Sequence, residues 1–108
     1  MPLAYPDPLD DEGNINVHET GALAGLGFSI RENGRVIDAS AMPLFFEVPE
    51  VAFRKALTAH PTDAKARWLS LTKAECAGIP VAGAQYVIFD ETSGQPVDLM
   101  KGEFRRYR

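Results

Sequence analysis

Apolar and polar residues alternate along much of this chain, and this pattern predicts short β-strands. The alternation is clear in residues 26–30, 44–48 and 84–90, because neighbouring side chains of a strand point to opposite faces. Turn-forming residues separate such stretches about every 8 to 12 residues, a spacing typical of β-sandwiches. The pattern therefore predicts a mainly β fold: a small antiparallel β-sandwich with one or two short helices.

The dipeptide Asn33-Gly34 is the strongest turn signal in the chain. Both residues tolerate the positive φ angles that a type I′ hairpin turn requires. We therefore expect residues 26–30 and 35–38 to pair as antiparallel strands. The next strand, residues 44–48, is bracketed by Pro43 and Pro49, which are tolerated at strand ends.

Two segments carry helical signals. In residues 50–59, apolar residues repeat at helical spacing after Pro49, which predicts a helix there; a strand followed by a long loop is the alternative. Thr72 and Glu75 form a capping-box pattern, so residues 73–77 are expected to form one helical turn that ends at Gly78.

The C-terminal third contains the most apolar strand. Residues 84–90 are apolar on both faces, which predicts that other parts of an assembly cover both. In the last strand, a bulge at Gly102 would bring Phe104 onto the same face as Leu99. The single Trp68, at the start of another alternating stretch, is expected in the core.

The composition of the N-terminal residues differs from that of the rest of the chain. Residues 1–25 are rich in proline and acidic residues, so we expect an extended arm that becomes ordered only against a partner, followed by a sandwich domain over residues 26–108. The arm has a few apolar residues that would dock on a neighbour: Leu3, Tyr5, Leu9, Ile15 and Val17. Ile15 and Val17 alternate and could form a short strand.

Composition narrows the classes of function. The chain has 108 residues, a formal net charge of −4 and one cysteine. This size predicts one domain, and the acidic balance argues against binding to nucleic acid or to an anionic membrane surface. No apolar stretch is long enough to span a bilayer, and no secretion signal is evident.

Candidate catalytic chemistry is sparse. Cys76 would need a base to act as a nucleophile, and only His18 and His60 are available. Since free cysteines are usually buried, we expect Cys76 to pack inside its helical turn. The glycines of residues 21–28 precede a strand and not a helix, so they do not form a phosphate-binding loop. We expect no enzyme activity.

Binding chemistry is equally limited. The cysteine and histidines lack the spacing of a zinc site, and the acidic run at residues 10–12 lacks that of a calcium loop, so we expect no metal and no cofactor. The C-terminus combines basic and aromatic residues that could stack on nucleic acid. On an acidic chain, a contact with a protein partner is the preferred interpretation for Arg105, Arg106, Tyr107 and Arg108.

The order of features from Gly27 onward resembles the small immunoglobulin-like β-sandwich domains of tailed-phage tail-tip, baseplate and fibre-adaptor proteins. The matching features are the Asn33-Gly34 hairpin followed by Val36-Ile37-Asp38, a strand ending in Leu71-Thr72, acidic Glu75, Gly83 before Tyr86, Gly94 in a turn, and Gly102 before Phe104. The insert at residues 49–64 and the N-terminal arm depart from this pattern. The resemblance covers about three quarters of the chain.

The resemblance implies a structural component of a phage or prophage particle, made in the bacterial cytoplasm and incorporated into the virion. Such a tail or baseplate adaptor would bind other virion proteins, in several copies or as a homo-oligomer. A host-encoded binding module, such as a toxin immunity protein or a secretion-system accessory, is the alternative. An acidic chain also suits that class, since an immunity protein complements a basic toxin.

Overall fold

The computed structural model describes residues 8–108, which form ten β-strands, one α-helix and one 3₁₀ turn. The strands are β1 (Ile15–His18), β2 (Leu23–Phe28), β3 (Ile30–Glu32), β4 (Arg35–Ile37), β5 (Leu44–Val48), β6 (Phe53–Ala56), β7 (Thr58–Ala59), β8 (Arg67–Leu71), β9 (Ala84–Asp90) and β10 (Val97–Tyr107). The helix α1 spans Lys73–Ala77, and the 3₁₀ turn spans Pro49–Val51. The predicted mainly β class is confirmed.

The strands form two packed sheets and a separate hairpin. The larger sheet has the order β1-β10-β9-β5-β6, the smaller has the order β2-β8-β7, and β3 pairs only with β4. Most neighbours are antiparallel, but β1 runs parallel to β10. This parallel pair departs from the purely antiparallel sandwich that the sequence predicted.

An aromatic cluster on the inner face of the larger sheet forms the centre of the core. The centroid of the Phe46 ring lies 5.5 Å from that of Tyr86 and 6.2 Å from that of Phe104. Leu69 and Leu71 from the smaller sheet belong to the same buried cluster. Aromatic pairs at such distances add to the stabilisation from burial, so the two sheets share one core.

The N-terminal segment belongs to this core, which corrects the prediction of a separate arm. Ile15 pairs with Phe104 in the larger sheet, and Ile15 and Val17 are buried within the chain itself. Leu9 forms an isolated bridge with Ile15 and packs against the core. The predicted boundary at residue 25 falls inside β2. Leu3 and Tyr5 lie outside the described residues.

A tight contact holds this segment in place. The Tyr86 hydroxyl donates to the carbonyl oxygen of Gly13, and the Glu103 N–H donates to the Asn14 side chain at 3.0 Å. A Cβ atom added to Gly102 would lie 2.1 Å from the Gly13 oxygen. Gly102 is therefore required because the two backbones approach each other too closely for any side chain.

The helix predicted over residues 50–59 is wrong, and the strand alternative is closer to the structure. After the 3₁₀ turn, Ala52 adopts a left-handed conformation and the chain enters β6, which pairs along the edge of β5. The Phe53 ring then packs against Phe46. Strand pairing with β5 is preferred over the helix that the spacing predicted. It satisfies the backbone N–H and C=O groups of this segment, and it also partly buries Phe53.

The structure confirms the predicted hairpin turn, but the strands that it joins are shorter than predicted. Asn33 and Gly34 have φ angles of 52° and 78°, as a type I′ turn requires. However, β3 and β4 pair only over Ile30–Glu32 and Arg35–Ile37, whereas residues 26–28 pair with β8.

The predicted capping box of α1 is confirmed. The Thr72 hydroxyl accepts the Glu75 N–H at 3.1 Å, and the Glu75 carboxylate accepts the Thr72 N–H at 2.8 Å. The same carboxylate oxygen pairs with Lys55 at 2.8 Å, and this pairing is the main reason that the pKa of Glu75 is lowered. The capped turn is thereby tied to the edge strand β6.

Two predictions about side-chain direction are wrong. The irregularity in β10 lies between Asp98 and Met100, so Leu99 is 44% exposed whereas Phe104 is fully buried. Trp68 is only half-buried, because Leu69 and Leu71 are the β8 residues that face the core. Its ring lies on Gly25, where an added Cβ would be 1.7 Å from the indole.

Truncation of Ile15 tests whether the N-terminal segment is part of the domain. We expect Ile15→Ala to lower the free energy of unfolding by about 2 to 5 kcal/mol, because it leaves a cavity beside Phe104. Val81→Ala is the matched control, since Val81 is 55% exposed and should change stability by less than about 0.5 kcal/mol. Denaturant unfolding measures both, and equal effects would contradict the assignment of β1 to the core.

Tyr86 predicts a distinct dependence of stability on alkaline pH. Burial, reinforced by the negative charge of Asp10, raises its pKa to about 12, whereas an unfolded tyrosine ionises near pH 10. The stabilisation is complete below about pH 10 and is lost as the pH rises towards 12, because the unfolded chain releases the proton first. Tyr86→Phe should flatten this part of the stability profile, whereas Tyr107→Phe should not; equal profiles would contradict the prediction.

Candidate partner interface

An apolar cleft opens between the two sheets at one end of the sandwich. It has a volume of about 290 Å³, and its apolar lining residues are Phe28, Ile30, Leu44, Ile88, Leu99 and Met100. Leu44 and Ile88 lie on the inner face of the larger sheet and form the buried floor. Its lining residues come from β2, β3 and the residue between them on one side, and from β5, β9 and β10 on the other.

Two apolar side chains of β10 are exposed at or near the cleft. Leu99 is 44% exposed and Val97, two residues earlier, is 50% exposed. The bulge in β10 lies at Leu99, between Asp98 and Met100, and a bulge changes the face towards which such a side chain points. The sequence pattern predicted that Leu99 shares a face with Phe104, so this exposed surface was missed.

The β3–β4 hairpin extends the same surface. Ile30 and Arg31 line the cleft, and Val36, the cross-strand neighbour of Arg31, is 40% exposed. Among the described residues, no strand outside the hairpin pairs with it. We name the cleft with Val97, Leu99 and Val36 the apolar rim surface. Such surfaces on small proteins mark contacts with other molecules.

The outer face of β9 is covered within the chain itself. Phe89 stacks on Phe45 with ring centroids 5.6 Å apart, and the Arg54 guanidinium lies 4.1 Å from the Phe45 ring centroid. Arg54 also pairs with Glu91 at 2.6 Å. Phe89 is therefore buried without a partner protein, in contrast to the sequence expectation that neighbours cover both faces of this strand.

The four C-terminal residues predicted to bind a partner do not form one patch. Arg106 faces inward, where it donates to the Ile79 carbonyl at 3.2 Å. Arg105 pairs with Glu103 at 3.2 Å, Arg108 approaches Glu19 at 3.7 Å, and the Tyr107 ring packs edge-on against His18. Arg106 is thus part of the fold, and the partner role of Arg105, Tyr107 and Arg108 stays a prediction.

Cys76 lies where the sequence predicted, on the inner side of α1. It is fully buried, and burial raises the pKa of its thiol above the usual value. Neither property suits a nucleophile, which must be accessible and ionised.

Two kinds of feature are absent from residues 8–108. This part of the chain contains no group of three or more histidine, cysteine or acidic side chains placed to hold a metal ion. Of the helices in the same range, none has the length and apolar character to cross a membrane.

Comparison with known proteins gives a match at the level of fold. No protein-family model and no curated protein matches the chain. Among solved structures, it is similar to the N-terminal domain of phage TP901-1 ORF48, with a TM-score of 0.54 and 10% sequence identity. The match covers 94% of this chain and 91% of that chain, so the likeness extends over almost the whole fold.

The burial of Cys76 predicts slow thiol chemistry. At neutral pH, a thiol-selective reagent should label the native chain far more slowly than the denatured chain, because the thiol is both enclosed and protonated. The rate of labelling against denaturant concentration measures this difference. Fast labelling of the native chain would contradict the buried position and would reopen the nucleophile hypothesis.

Proposed function

We propose that this chain is a structural component of a phage or prophage particle, a tail or baseplate adaptor that binds neighbouring virion proteins and catalyses no reaction. The fold likeness to a domain of a phage protein is the observation that carries this proposal. We also propose that the sandwich is of the immunoglobulin-like class and that the protein is part of the virion.

The surface chemistry supports a binding role. The apolar rim surface exposes Leu99, Val97 and Val36, and burial of such side chains against a neighbour is favourable by roughly 25 cal/mol per Å². Arg31 beside this surface supplies a charged group at its edge, where interfaces commonly have polar residues. We infer that this surface, and not a separate arm, is the main contact with virion neighbours.

Incorporation into particles tests the proposal. The wild-type chain should be detected by mass spectrometry in purified particles from the strain that encodes it, at a fixed ratio to the other particle proteins. Leu99→Asp should be lost from particles, because it introduces a charge into an apolar contact. Val81→Asp is the matched control, since Val81 is more exposed than Leu99 but precedes β9 at the opposite end of the sandwich, and it should be incorporated normally.

Thermal unfolding of both variants is first compared with that of the wild type. Similar unfolding temperatures show that loss from particles does not result from misfolding. Absence of the wild-type chain from particles would contradict the proposal. Its recovery from cytosol with one soluble partner would favour the immunity or secretion-accessory class instead. Equal incorporation of both variants would keep the virion assignment and would reject the apolar rim surface as its contact.

A further inference from the structure

One edge strand of the two sheets lies in a stretch without charged side chains. Residues 21–30 carry no charged side chain, and they include β2, which is the end strand of the smaller sheet. An edge strand presents unpaired backbone N–H and C=O groups, and natural proteins usually protect such edges with charges, prolines or covering segments. An uncharged edge strand is therefore a feature that requires explanation.

The other edges of the two sheets have such protection. Beside β1, Leu9 bridges to Ile15, and the Asn16 N–H donates to the Pro8 carbonyl at 2.9 Å. Strand β6 contains Arg54 and Lys55, and β7 has only two residues before Pro61 follows. Within residues 8–108, β2 is thus the one sheet-edge strand longer than two residues that has neither a charged side chain nor a covering segment.

The unpaired side of β2 continues into the hairpin. After β4, the Ala39 N–H donates to the Lys65 carbonyl at 2.9 Å, and Arg67 donates to the Ser40 carbonyl at 3.2 Å. These bonds join the end of β4 to the start of β8, which indicates that both strands flank the same side of β2 and β3. The opposite side is thus open along the whole of this bent strand.

Aromatic rings cover the outer face of β2. On the outer face, the Trp68 indole covers Gly25 and the His60 ring covers Gly27, where an added Cβ would lie 2.9 Å from Nε2 of His60. Aromatic side chains that cover glycines in a strand stabilise the extended backbone. The register shift between Leu23 and Leu26 interrupts only the first half of β2, so residues 26–30 remain available for regular pairing.

We propose that the open edge of β2 pairs antiparallel with β2 of a second copy of this chain. Two-fold pairing places the same surface on both subunits, and an uncharged strand meets itself without opposing like charges. The result would be one continuous sheet of six strands through the dimer. Phe28 of β2 and Ile30 of the adjoining β3 also line the adjacent cleft, so the pairing would also bury part of the apolar rim surface.

Charge insertion on the edge tests this proposal in the purified chain. In light scattering, the average mass of the wild type should rise with concentration towards twice the 11.8 kDa of one chain. A dependence on concentration is expected because one strand pair is a small interface. Ser29→Lys and Ala24→Lys, both at exposed positions, should shift the mass back towards the monomer. Ala56→Lys is the matched control: it adds the same charge to an exposed position on β6, and it should leave the dimer intact.

Hydrogen exchange provides a second measurement that does not depend on the variants. Amides of residues 26–30 should become more protected at high wild-type concentration, whereas those of β6 should not change. A wild type that stays monomeric, or a dimer without this protection, would overturn the proposal. Loss of the dimer in Ala56→Lys would do the same. Absence of the dimer would leave the particle assignment untouched, since that rests on incorporation.

Discussion

The fold depends on the insertion of the N-terminal segment beside β10. Ile15 pairs with Phe104, and the backbone of Gly13 lies so close to Gly102 that no side chain fits between them. This contact completes the larger sheet at one edge and covers Phe104 and Tyr86, which pack with Phe46. A separate arm would leave the edge of β10 unpaired and the aromatic cluster open to solvent.

The unequal size of the two sheets connects this core to the surface. The larger sheet has five strands and the smaller has three, and a cleft lined by residues of both opens beside the core. Leu44 and Ile88 remain buried at the floor of the resulting cleft, while the bulge at Leu99 exposes the rim. Strand β2 ends the smaller sheet and has an unpaired side. The two candidate contact surfaces adjoin each other, because Phe28 of β2 also lines the cleft.

Several long basic side chains pack against other parts of the same chain. Arg54 covers the Phe45 and Phe89 rings, Lys55 joins β6 to the capped helix, and Arg106 reaches inward to Ile79. Long basic side chains have apolar stems that pack on apolar surface. Their presence on a strand therefore does not by itself indicate a binding surface.

Local signals in the sequence determined the elements whose geometry depends on adjacent residues. The Asn33-Gly34 turn, the Thr72–Glu75 capping box and the alternating strand at residues 84–90 were all predicted correctly, because φ preferences, caps and alternation act over a few residues. Only the tertiary structure decided where distant segments pair. The parallel position of β1, the strand formed by Phe53–Ala56 and the exposure of Leu99 all depend on an edge or a register supplied by another part of the chain, and that information is absent from any local pattern.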